Sequence, residues 1–568
     1  MNLYNEIIAK LFSSVHSIDE KDVYSLIEFP PKEDQGDRAI ACFRWAKEKK
    51  KSPQDLAKDF ASQLQKLPLP KEITKIEAQG GYVNFFFNDE LLAQKVLTSV
   101  FQNPDTFEKV SMSSPLRVVI EFSSPNIAKP FSIGHLRSTN LGACLSRIYA
   151  FMGYEVTRIN HLGDWGTQFG KLITAYRRWG NAQMLDENPI LSLFTLYVRF
   201  HDEEKNDPTL TTEAREAFSQ LEKGDESAKE LWDWFRNLTM KELDSIYTRL
   251  GVEFDHLWGE SFYIDQLPSL LTTLEKKGIS EISEGATIVN LKKENMSVAV
   301  LQKGDESSLY ITRDLAAAIY RYKEFDFYKM LYVVGSEQSL HFQQLFKILS
   351  MAGYSFYDRC NHVAFGQITF GSEKMSTRKG NVVFLQDVLA RAEEKALSII
   401  KEKNPTLENA VDISKDVALG AILFADISAK RIKNVKFAWD DILSFEGETG
   451  PYLQYSYVRT KSLLKKHDQP ISLPNDFSIY KEREEKKLIR TLSQFIFSLE
   501  KVVAENEPFY LGQYLISVTK DFNRFYQSVR ILDAPENTLC ARMLLVFATS
   551  CVLQTGLQLL GIPAPEKM

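Results

Sequence analysis

The segment LRVVIEFSSPNIAKPFSIGHLRSTNLGACLSRIYAFMGYEVTRIN, residues Leu116–Asn160, sets the class of fold that this chain adopts. A short apolar run ends at Phe122, a loop follows, and Gly134 and His135 stand where a helical run begins. Such a run is typical of a strand buried in a parallel sheet, and EVTRIN at the far end predicts a second strand. Together they predict a βαβ unit, and we expect an α/β fold with a Rossmann-like parallel sheet.

Other stretches extend this unit and divide the chain into three predicted domains. MLYVVGS, at Met330–Ser336, precedes a helical run and places another loop at a strand end, where open α/β sheets bind ligands. We expect a small α/β N-terminal domain at 1–110 and a Rossmann-like domain at 111–410, with connective insertions at about 174–308. A helix bundle is expected at 411–568.

Apolar periodicity supports the two flanking domains. After a Ser-Pro start, Leu56, Phe60 and Leu64 recur every four residues, which predicts an amphipathic helix, and GGYVNFFFN predicts a strand after a glycine turn. In the last domain a helical stripe is formed by Leu488, Leu492, Phe495, Leu499 and Val503. Both patterns predict helices that bury one face against a core.

Composition bounds the class of protein. Apolar residues make up 44% of the 568, which is ample for packed cores. The net charge of −6 argues only weakly against nucleic-acid binding, because phosphate contacts depend on local basic clusters. The apolar run MLLVFATSCVL, from Met543, is short and polar in its middle, so we expect a core helix and no membrane span. Five cysteines without C-x-x-C spacing suit a reducing cytoplasm.

The glycine and histidine at the predicted helix start are suited to phosphate. Unpaired amides at a helix N-terminus favour anions, and Gly134 lets a phosphate approach the backbone. His135 can donate a hydrogen bond and Lys129 adds charge. The alternative is an ordinary capped helix with an incidental histidine.

A second loop, SEKMSTRKGN, has the composition of a triphosphate-binding segment. Lys374, Arg378 and Lys379 stand among small hydroxyl residues, with Met375 and Ser376 between the charges. Such a loop can draw off charge as pyrophosphate leaves. A solvated charged turn is the alternative.

Two short motifs carry a family resemblance. SIGH, at Ser132–His135, resembles the HIGH signature of class I aminoacyl-tRNA synthetases, and KMSTR, at Lys374–Arg378, resembles their KMSKS signature. EFSSPNIAKPF, NHLGDWGTQFG, YITRDLAAAIYR, YVVGSEQSLHFQQL, FEGETGPYLQYSYVR and the terminal LGIPAPEKM look like the arginyl-tRNA synthetases in particular. The resemblance covers nearly the whole chain. It departs at Ser132, where the family mostly has histidine, and this puts ATP affinity or rate in doubt.

The resemblance implies a two-step reaction. The arginine carboxylate attacks the α-phosphate of ATP, giving arginyl-adenylate and pyrophosphate, and the 2′-hydroxyl of the terminal adenosine of arginine tRNA then takes the arginyl group, releasing AMP. Mg²⁺ is expected with ATP as part of the substrate, with no dedicated metal site and no tightly bound cofactor. The family also suggests a cytoplasmic monomer. The implied ATP and catalytic positions are Ser132, Gly134, His135, Lys129, Gly335, Lys374, Met375, Ser376, Arg378 and Lys379.

The chemistry of arginine fits a second set of residues. A guanidinium is a planar fork that asks for carboxylates and hydroxyls, and Tyr310 and Asp314 are four apart, so they share a helix face. Glu121 ends a buried strand, where a charge requires a partner. Taken singly, such residues are more ordinarily solvated carboxylates or tyrosine tips. The resemblance implies an arginine pocket of Glu121, Asn126, His161, Tyr310, Asp314 and Gln338.

The resemblance also implies tRNA contacts outside the Rossmann-like domain. Single-stranded bases are held by aromatic stacking, which suits an anticodon surface in the helical domain. Its implied residues are Tyr452, Tyr455, Arg459, Tyr526 and Met568, for which packing inside the bundle is the alternative. AKRIKNVK, at 429–436, is the best basic cluster for phosphate contact, and the N-terminal domain is expected to touch the tRNA elbow.

Two other functions compete with a synthetase. A small-molecule adenylyltransferase shares the x-x-Gly-His loop, but such enzymes are short and lack the second loop and the helical tail. A catalytically silent, tRNA-binding relative has Ser132 as its support, while Lys374, Glu121 and Asp314 speak against it.

Overall fold

The structure is a computed structural model that describes residues 3–16, 18–30, 32–107, 109–304, 309–370 and 383–568. Its N-terminal part is a small α/β unit in which an antiparallel sheet, in the order β1-β2-β4-β3, packs against helices. Leu56, Phe60 and Leu64 are buried as predicted, on a helix capped by the Ser52 hydroxyl. The elements are α1 (Leu3–His16), α2 (Glu20–Ser25), β1 (Ile27–Glu28), β2 (Arg38–Ala41), α3 (Phe43–Glu48), α4 (Pro53–Leu64), β3 (Ile73–Gln79), β4 (Tyr82–Phe87) and α5 (Asp89–Gln102).

The predicted βαβ unit follows, as β5 (Arg117–Glu121), α6 (Ile133–Phe151) and β6 (Glu155–Ile159). A long insertion then forms a helical group and a small antiparallel sheet in the order β7-β8-β9. Its elements are α7 (Thr167–Trp179), α8 (Ala182–Glu187), α9 (Pro189–Glu203), α10 (Thr209–Glu222), α11 (Glu226–Leu250), α12 (Leu267–Lys276), β7 (Glu281–Ser283), β8 (Ala286–Val289) and β9 (Ala299–Gln302).

The chain then returns to complete the parallel sheet. The next elements are α13 (Tyr310–Phe325), β10 (Lys329–Tyr332), α14 (Ser339–Met351), β11 (Cys360–His362), β12 (Ile368–Phe370), α15 (Leu385–Lys403), α16 (Ala410–Ile427), β13 (Val435–Phe437) and α17 (Trp439–Ile442). The sheet order is β11-β10-β5-β6, and each neighbouring pair is parallel. The carboxyl ends of these strands therefore meet at one edge, where the predicted ligand loops lie.

The last part is a helix bundle of α18 (Gly450–His467), α19 (Arg483–Leu492), α20 (Phe495–Glu505), α21 (Phe509–Ser528) and α22 (Glu536–Leu560). The predicted apolar stripe is divided between α19 and α20, because the helix breaks at Ser493 and Gln494. Among the described residues α22 is the helix long and apolar enough to cross a membrane, and 83% of its apolar window is buried. It is packed as the predicted core helix. The α/β class, the parallel sheet and the helical C-terminal part are all confirmed.

Candidate active site

The first turn of α6 is closed by the histidine of the SIGH motif. The backbone N–H of Ser132 donates to His135 Nδ1 at 3.0 Å, and the Ser132 hydroxyl lies 3.1 Å from the same nitrogen. Burial, with the charge of Lys129 added, lowers the His135 pKa to about 4, so the ring is neutral at pH 7. Since Nδ1 accepts, the ring proton is on Nε2, which makes that nitrogen a hydrogen-bond donor.

Ser132, which the resemblance places in the ATP site, lies at the N-cap of α6. Its side chain is buried and its hydroxyl is directed at His135, so it serves the helix start. Gly134 is exposed beside it, and the Lys129 ammonium lies 5.2 Å from the ring centre of Tyr197 on α9. Gly335 follows β10 and is buried, and a Cβ there would fall 2.6 Å from the carboxylate of the exposed Glu337 side chain.

The second signature, with Lys374, Met375, Ser376, Arg378 and Lys379, lies outside the described residues. The chain that follows it is described and is joined to the start of α6. Ile133 N–H donates to the carbonyl of Val383 at 3.1 Å, and Leu385 N–H donates to the carbonyl of Phe131 at 3.0 Å. The fold therefore brings the flank of the second signature to the first.

Glu121, at the carboxyl end of β5, has the partner that its burial demands. The guanidinium of Arg321, on α13, donates to Glu121 Oε2, and both side chains are buried. Arg321 also donates to Tyr263 at 3.2 Å. Burial opposes its charge, but Tyr263 and Glu121 outweigh burial and raise the Arg321 pKa above its ordinary value. One carboxylate oxygen expected to face a ligand is thus occupied by a guanidinium of the same chain.

Asp314 lies between two histidines. Its Oδ2 accepts a hydrogen bond of 2.6 Å from His341 Nε2, and its Oδ1 is 3.4 Å from His161 Nε2. Burial opposes the charged form, but these two histidines outweigh it and hold the Asp314 pKa well below its usual range. Burial likewise lowers the pKa of both histidines, and the neighbouring carboxylates raise it more, so each pKa lies above its ordinary value.

The two carboxylates belong to one buried network. His161 Nδ1 is 3.1 Å from Arg321 Nη2 and 3.1 Å from the carbonyl oxygen of Trp258. A continuous chain of contacts therefore runs from Glu121 through Arg321 and His161 to Asp314. We did not predict Arg321 or His341 from sequence, although both lie in the stretches that carry the family resemblance.

The other predicted pocket residues lie close to members of this network along the chain or, for Asn126, beside the loop that follows His161. Tyr310 begins α13 one turn before Asp314 and is 56% exposed, while Gln338 is exposed three residues before His341. Asn126 forms a parallel bridge with Gly163, where a Cβ would fall 2.2 Å from Asn126 Oδ1.

A second buried ion pair, formed by Arg313 and Glu260, interacts electrostatically with His161 and Asp314. Arg313 Nε is 3.1 Å from Glu260 Oε2, and burial raises the Glu260 pKa to about 7. Within the described ranges, no group of three His, Cys, Asp or Glu residues could hold a metal ion.

The predicted anticodon residues converge on one surface of the bundle. The Arg459 guanidinium is 4.9 Å from the ring centre of Tyr455 and 4.7 Å from that of Tyr526. Asn523, which sequence reasoning missed, accepts from Arg459 and donates to the Tyr452 hydroxyl at 3.0 Å. Tyr455 and Tyr526 are each 40% exposed, so this cluster faces solvent.

The structure also describes Met568 and the basic cluster at 429–436, which the sequence analysis singled out for contact with tRNA. Met568 is half-buried against the core. In AKRIKNVK, the Arg431 guanidinium is partly buried and donates to the carbonyl oxygens of Ala364, Glu505 and Asn506. Its role is to tie the bundle to the chain that follows β11.

Three family models match successive parts of the chain. Residues 97–439 match the catalytic domain of class I (R) tRNA synthetases, 453–568 the DALR anticodon binding domain, and 2–87 the arginyl tRNA synthetase N terminal domain. A parallel sheet with x-x-Gly-His at its first turn, followed by this helical domain, is that of a class I aminoacyl-tRNA synthetase.

Comparison with related proteins shows which class I synthetases this chain is similar to. The chain is 44% identical over 566 residues to an arginine–tRNA ligase of Halothermothrix orenii, covering 100% of both chains. It is 43% identical to one of Clostridioides difficile, covering 98% of each. The solved arginyl-tRNA synthetase of Thermus thermophilus superposes with a TM-score of 0.84 at 26% identity, covering 100% of this chain and 99% of that one. The chain belongs to the arginyl-tRNA synthetase family, and it is an aminoacyl-tRNA synthetase that ligates arginine to tRNA.

Proposed function

We propose that this chain activates arginine with ATP and transfers it to arginine tRNA at the edge of the parallel sheet. The observation that supports this most is Asp314, an ionised carboxylate on α13 held by His341 and His161. A guanidinium that leaves water for such a site can be bound through charge-assisted hydrogen bonds. The N-terminus of α6, which follows the strand that carries Glu121, favours phosphate.

In this proposal the arginine guanidinium lies against Asp314 and Tyr310. Glu121 supplies its remaining carboxylate oxygen, because Oε2 is taken by Arg321. Gln338 is proposed as a further guanidinium contact, and Asn126 and His161 are proposed to lie close to the amino and carboxylate groups of the amino acid. A neutral analogue would lose the charge-assisted hydrogen bonds that a guanidinium makes with Glu121 and Asp314, and this favours arginine over citrulline.

Activation of arginine requires stabilisation of charge on the phosphates of ATP. The arginine carboxylate attacks the α-phosphorus in line, and pyrophosphate is the leaving group. His135 Nε2, the amides at Gly134 and the ammonium of Lys129 are placed to meet the phosphoryl oxygens, with Gly335 leaving room for the nucleotide. Lys374, Met375, Ser376, Arg378 and Lys379 are proposed to act from the second loop.

Mg²⁺ is proposed to arrive as part of the ATP substrate. Among the described residues no carboxylate and histidine cluster is suited to hold it, so phosphate oxygens and water are its expected ligands. Its positive charge would add to that of the lysines as pyrophosphate departs.

The transfer step uses the 2′-hydroxyl of the terminal adenosine, which attacks the carbonyl of arginyl-adenylate and releases AMP. The surface of Tyr452, Tyr455, Arg459 and Tyr526 is proposed to stack on anticodon bases, with Met568 near it. We assign tRNA-elbow binding to residues 1–110, catalysis to 111–410 and anticodon binding to 411–568. The enzyme is proposed to be a cytoplasmic monomer.

One assay tests the proposal against a silent, tRNA-binding relative. Purified full-length protein is incubated with ATP, labelled pyrophosphate and arginine tRNA, with and without arginine. Arginine-dependent exchange of pyrophosphate into ATP is the expected result, and citrulline should not replace arginine. Absence of exchange, with arginine tRNA still bound, would support the silent relative instead.

A further inference from the structure

The loop between β5 and α6 holds several side-chain-bearing residues in left-handed backbone conformation. They are Ser123 with φ +71°, Ser124 with φ +47° and Ala128 with φ +61°. A Cβ makes this conformation unfavourable, so such residues persist where surrounding contacts hold them, and they gather at functional sites. The same loop carries Asn126 and Lys129, so its conformation sets where those side chains stand.

Two of the strained residues are held directly by α11, a helix of the insertion. The Oγ1 of Thr239 accepts a hydrogen bond of 3.1 Å from the backbone N–H of Ala128. The hydroxyl of Tyr247 lies 2.8 Å from Ser123 Oγ, within hydrogen-bonding distance. Thr239 and Tyr247 are each less than 5% exposed, so water does not compete for these bonds.

Tyr247 also controls the third strained residue through an asparagine. Ser124 N–H donates to Asn160 Oδ1 at 3.1 Å, and Asn160 Nδ2 donates to the Tyr247 hydroxyl at 2.9 Å. Asn160 is fully buried at the end of β6. Burial raises the Tyr247 pKa to about 12, so its hydroxyl keeps the proton throughout the working range.

The contacts of Tyr247 reach the helix that carries the SIGH motif. Thr139 Oγ1 is 2.9 Å from Ser123 Oγ and 2.8 Å from the carbonyl oxygen of His135. A chain of hydroxyl groups therefore runs from Tyr247 to the first turn of α6. Displacement of the Ser123 end would be felt at His135.

The same face of α11 contacts the loop after β6. Residues 232, 236, 239 and 247 recur at helical spacing, so they share one side of the helix. Trp232 Nε1 donates to the carbonyl of Asp164 at 2.7 Å, and Arg236 Nε is 3.5 Å from Asp164 Oδ2. The helix thus packs against the loops that follow both β5 and β6.

We propose that Thr239 and Tyr247 are positioning residues, which hold the strained loop in the conformation that receives arginine and ATP. Neither is placed against substrate, and both act through the backbone of Ser123, Ser124 and Ala128. The inference rests on the proposed roles of Asn126 and Lys129 in this loop. It assigns to the insertion a part in arginine activation.

Isosteric variants with matched controls test the proposal. Tyr247→Phe and Thr239→Val remove the polar contacts and keep the packing. Tyr480→Phe and Thr549→Val are the controls, because each is a buried residue of the C-terminal part whose hydroxyl donates to a main-chain carbonyl. Arginine-dependent ATP–pyrophosphate exchange with arginine tRNA is measured on the full chain, together with thermal unfolding.

Both α11 variants are expected to lower the kcat of exchange by about 10- to 100-fold, as misplacement of reacting groups does. The controls should stay within about twofold of the parent at a similar loss of thermal stability. Equal kcat values in the α11 variants and their controls would overturn the proposal. The hydroxyls of Thr239 and Tyr247 each make two buried hydrogen bonds, and those of Thr239 involve different partners. The kcat of Thr239→Val therefore tests the proposal independently if Tyr247→Phe folds poorly.

A second measurement tests the strain itself. Glycine accepts positive φ without penalty, so Ala128→Gly should reduce the dependence of the loop on Thr239. We expect Thr239→Val to lower kcat less in the Ala128→Gly background than in the parent, and equal losses in both would contradict the strain argument. If Asp314→Asn is fully active, the proposed site is wrong; if it is impaired while the α11 variants are not, only the positioning role is wrong.

Discussion

Asp314→Asn is expected to weaken the use of arginine selectively, because it removes a charge and preserves a shape. The carboxylate accepts from His341 at 2.6 Å and is 3.4 Å from His161, and its side chain is 23% exposed. The exposed side is where an incoming guanidinium can bind. Asparagine fills the same volume but offers one acceptor oxygen and no charge.

The size of the loss follows from the bond that is given up. A hydrogen bond to a charged group contributes about 1.5–3 kcal/mol. Since each ~1.4 kcal/mol corresponds to a factor of ten, kcat/KM for arginine should fall about 10- to 150-fold. The KM for ATP should change by less than about twofold, because the proposed function assigns Asp314 to the amino acid and not to the phosphates.

Stability should respond to pH in a way that identifies the His341 contact. The His341 pKa is raised above 6.5, since the bond to Asp314 outweighs burial. Because the His341 pKa is raised in the folded state, its contact with Asp314 stabilises the folded protein fully below pH 6.5. This stabilisation is lost as the pH rises through the folded-state pKa of His341. The destabilisation caused by Asp314→Asn should therefore be larger near pH 6 than near pH 9, as followed by denaturant unfolding.

Steady-state exchange assays with arginine or ATP varied separately provide the kinetic test. Glu485→Gln is the matched control, since it also neutralises a buried carboxylate, which accepts from Arg542 at 2.7 Å in the C-terminal bundle. The control should lose stability and keep both KM values. Equal changes in the KM values for arginine and ATP with Asp314→Asn would refute the place of this residue in the guanidinium pocket.

Three further outcomes are expected. Ser132→His should lower kcat of exchange, because the Ser132 side chain is buried and its hydroxyl contacts His135; a faster variant would mean that this turn accommodates two imidazoles. Arg459→Ala should raise the KM for tRNA by about 5- to 150-fold, since base stacking contributes about 1–3 kcal/mol per base. The KM for arginine should stay unchanged, and parallel changes in both KM values would point to misfolding. Arg321→Met should cost about 3–5 kcal/mol in unfolding free energy by leaving Glu121 buried and unpaired, and added Glu121→Gln should recover much of this; no recovery would contradict the ion pair.

Much of the fold follows from local patterns. The apolar run before Phe122, the helical run after Gly134 and the strand at EVTRIN predicted the βαβ unit, and the structure confirms it within a few residues. Periodicity shows which face of its own helix or strand a residue occupies, and this requires no information about distant parts of the chain. For the same reason it predicted that Tyr310 and Asp314 share one side of α13.

Only part of the candidate site could be predicted from local sequence patterns. Burial of Glu121 in a strand showed that it needs a partner, but nothing local indicated Arg321, which lies 200 residues further along the chain. His341 was missed for a similar reason, as its bond to Asp314 joins two helices separated by a strand. Partners of this kind are set by how elements pack, and no spacing rule records them.

The insertion shows the same division most clearly. The sequence placed residues 226–250 within the connective insertions and did not show what they contact, because hydrophobic periodicity depends on neighbours within a few turns. That this helix presents Thr239 and Tyr247 to the loop after β5 depends on contacts across more than a hundred residues. Local residue preferences thus specified the helices, strands and motif positions of this chain. Long-range packing assigned the buried charges their partners and the strained loop its supports, since close contact between distant segments exists only in the folded chain.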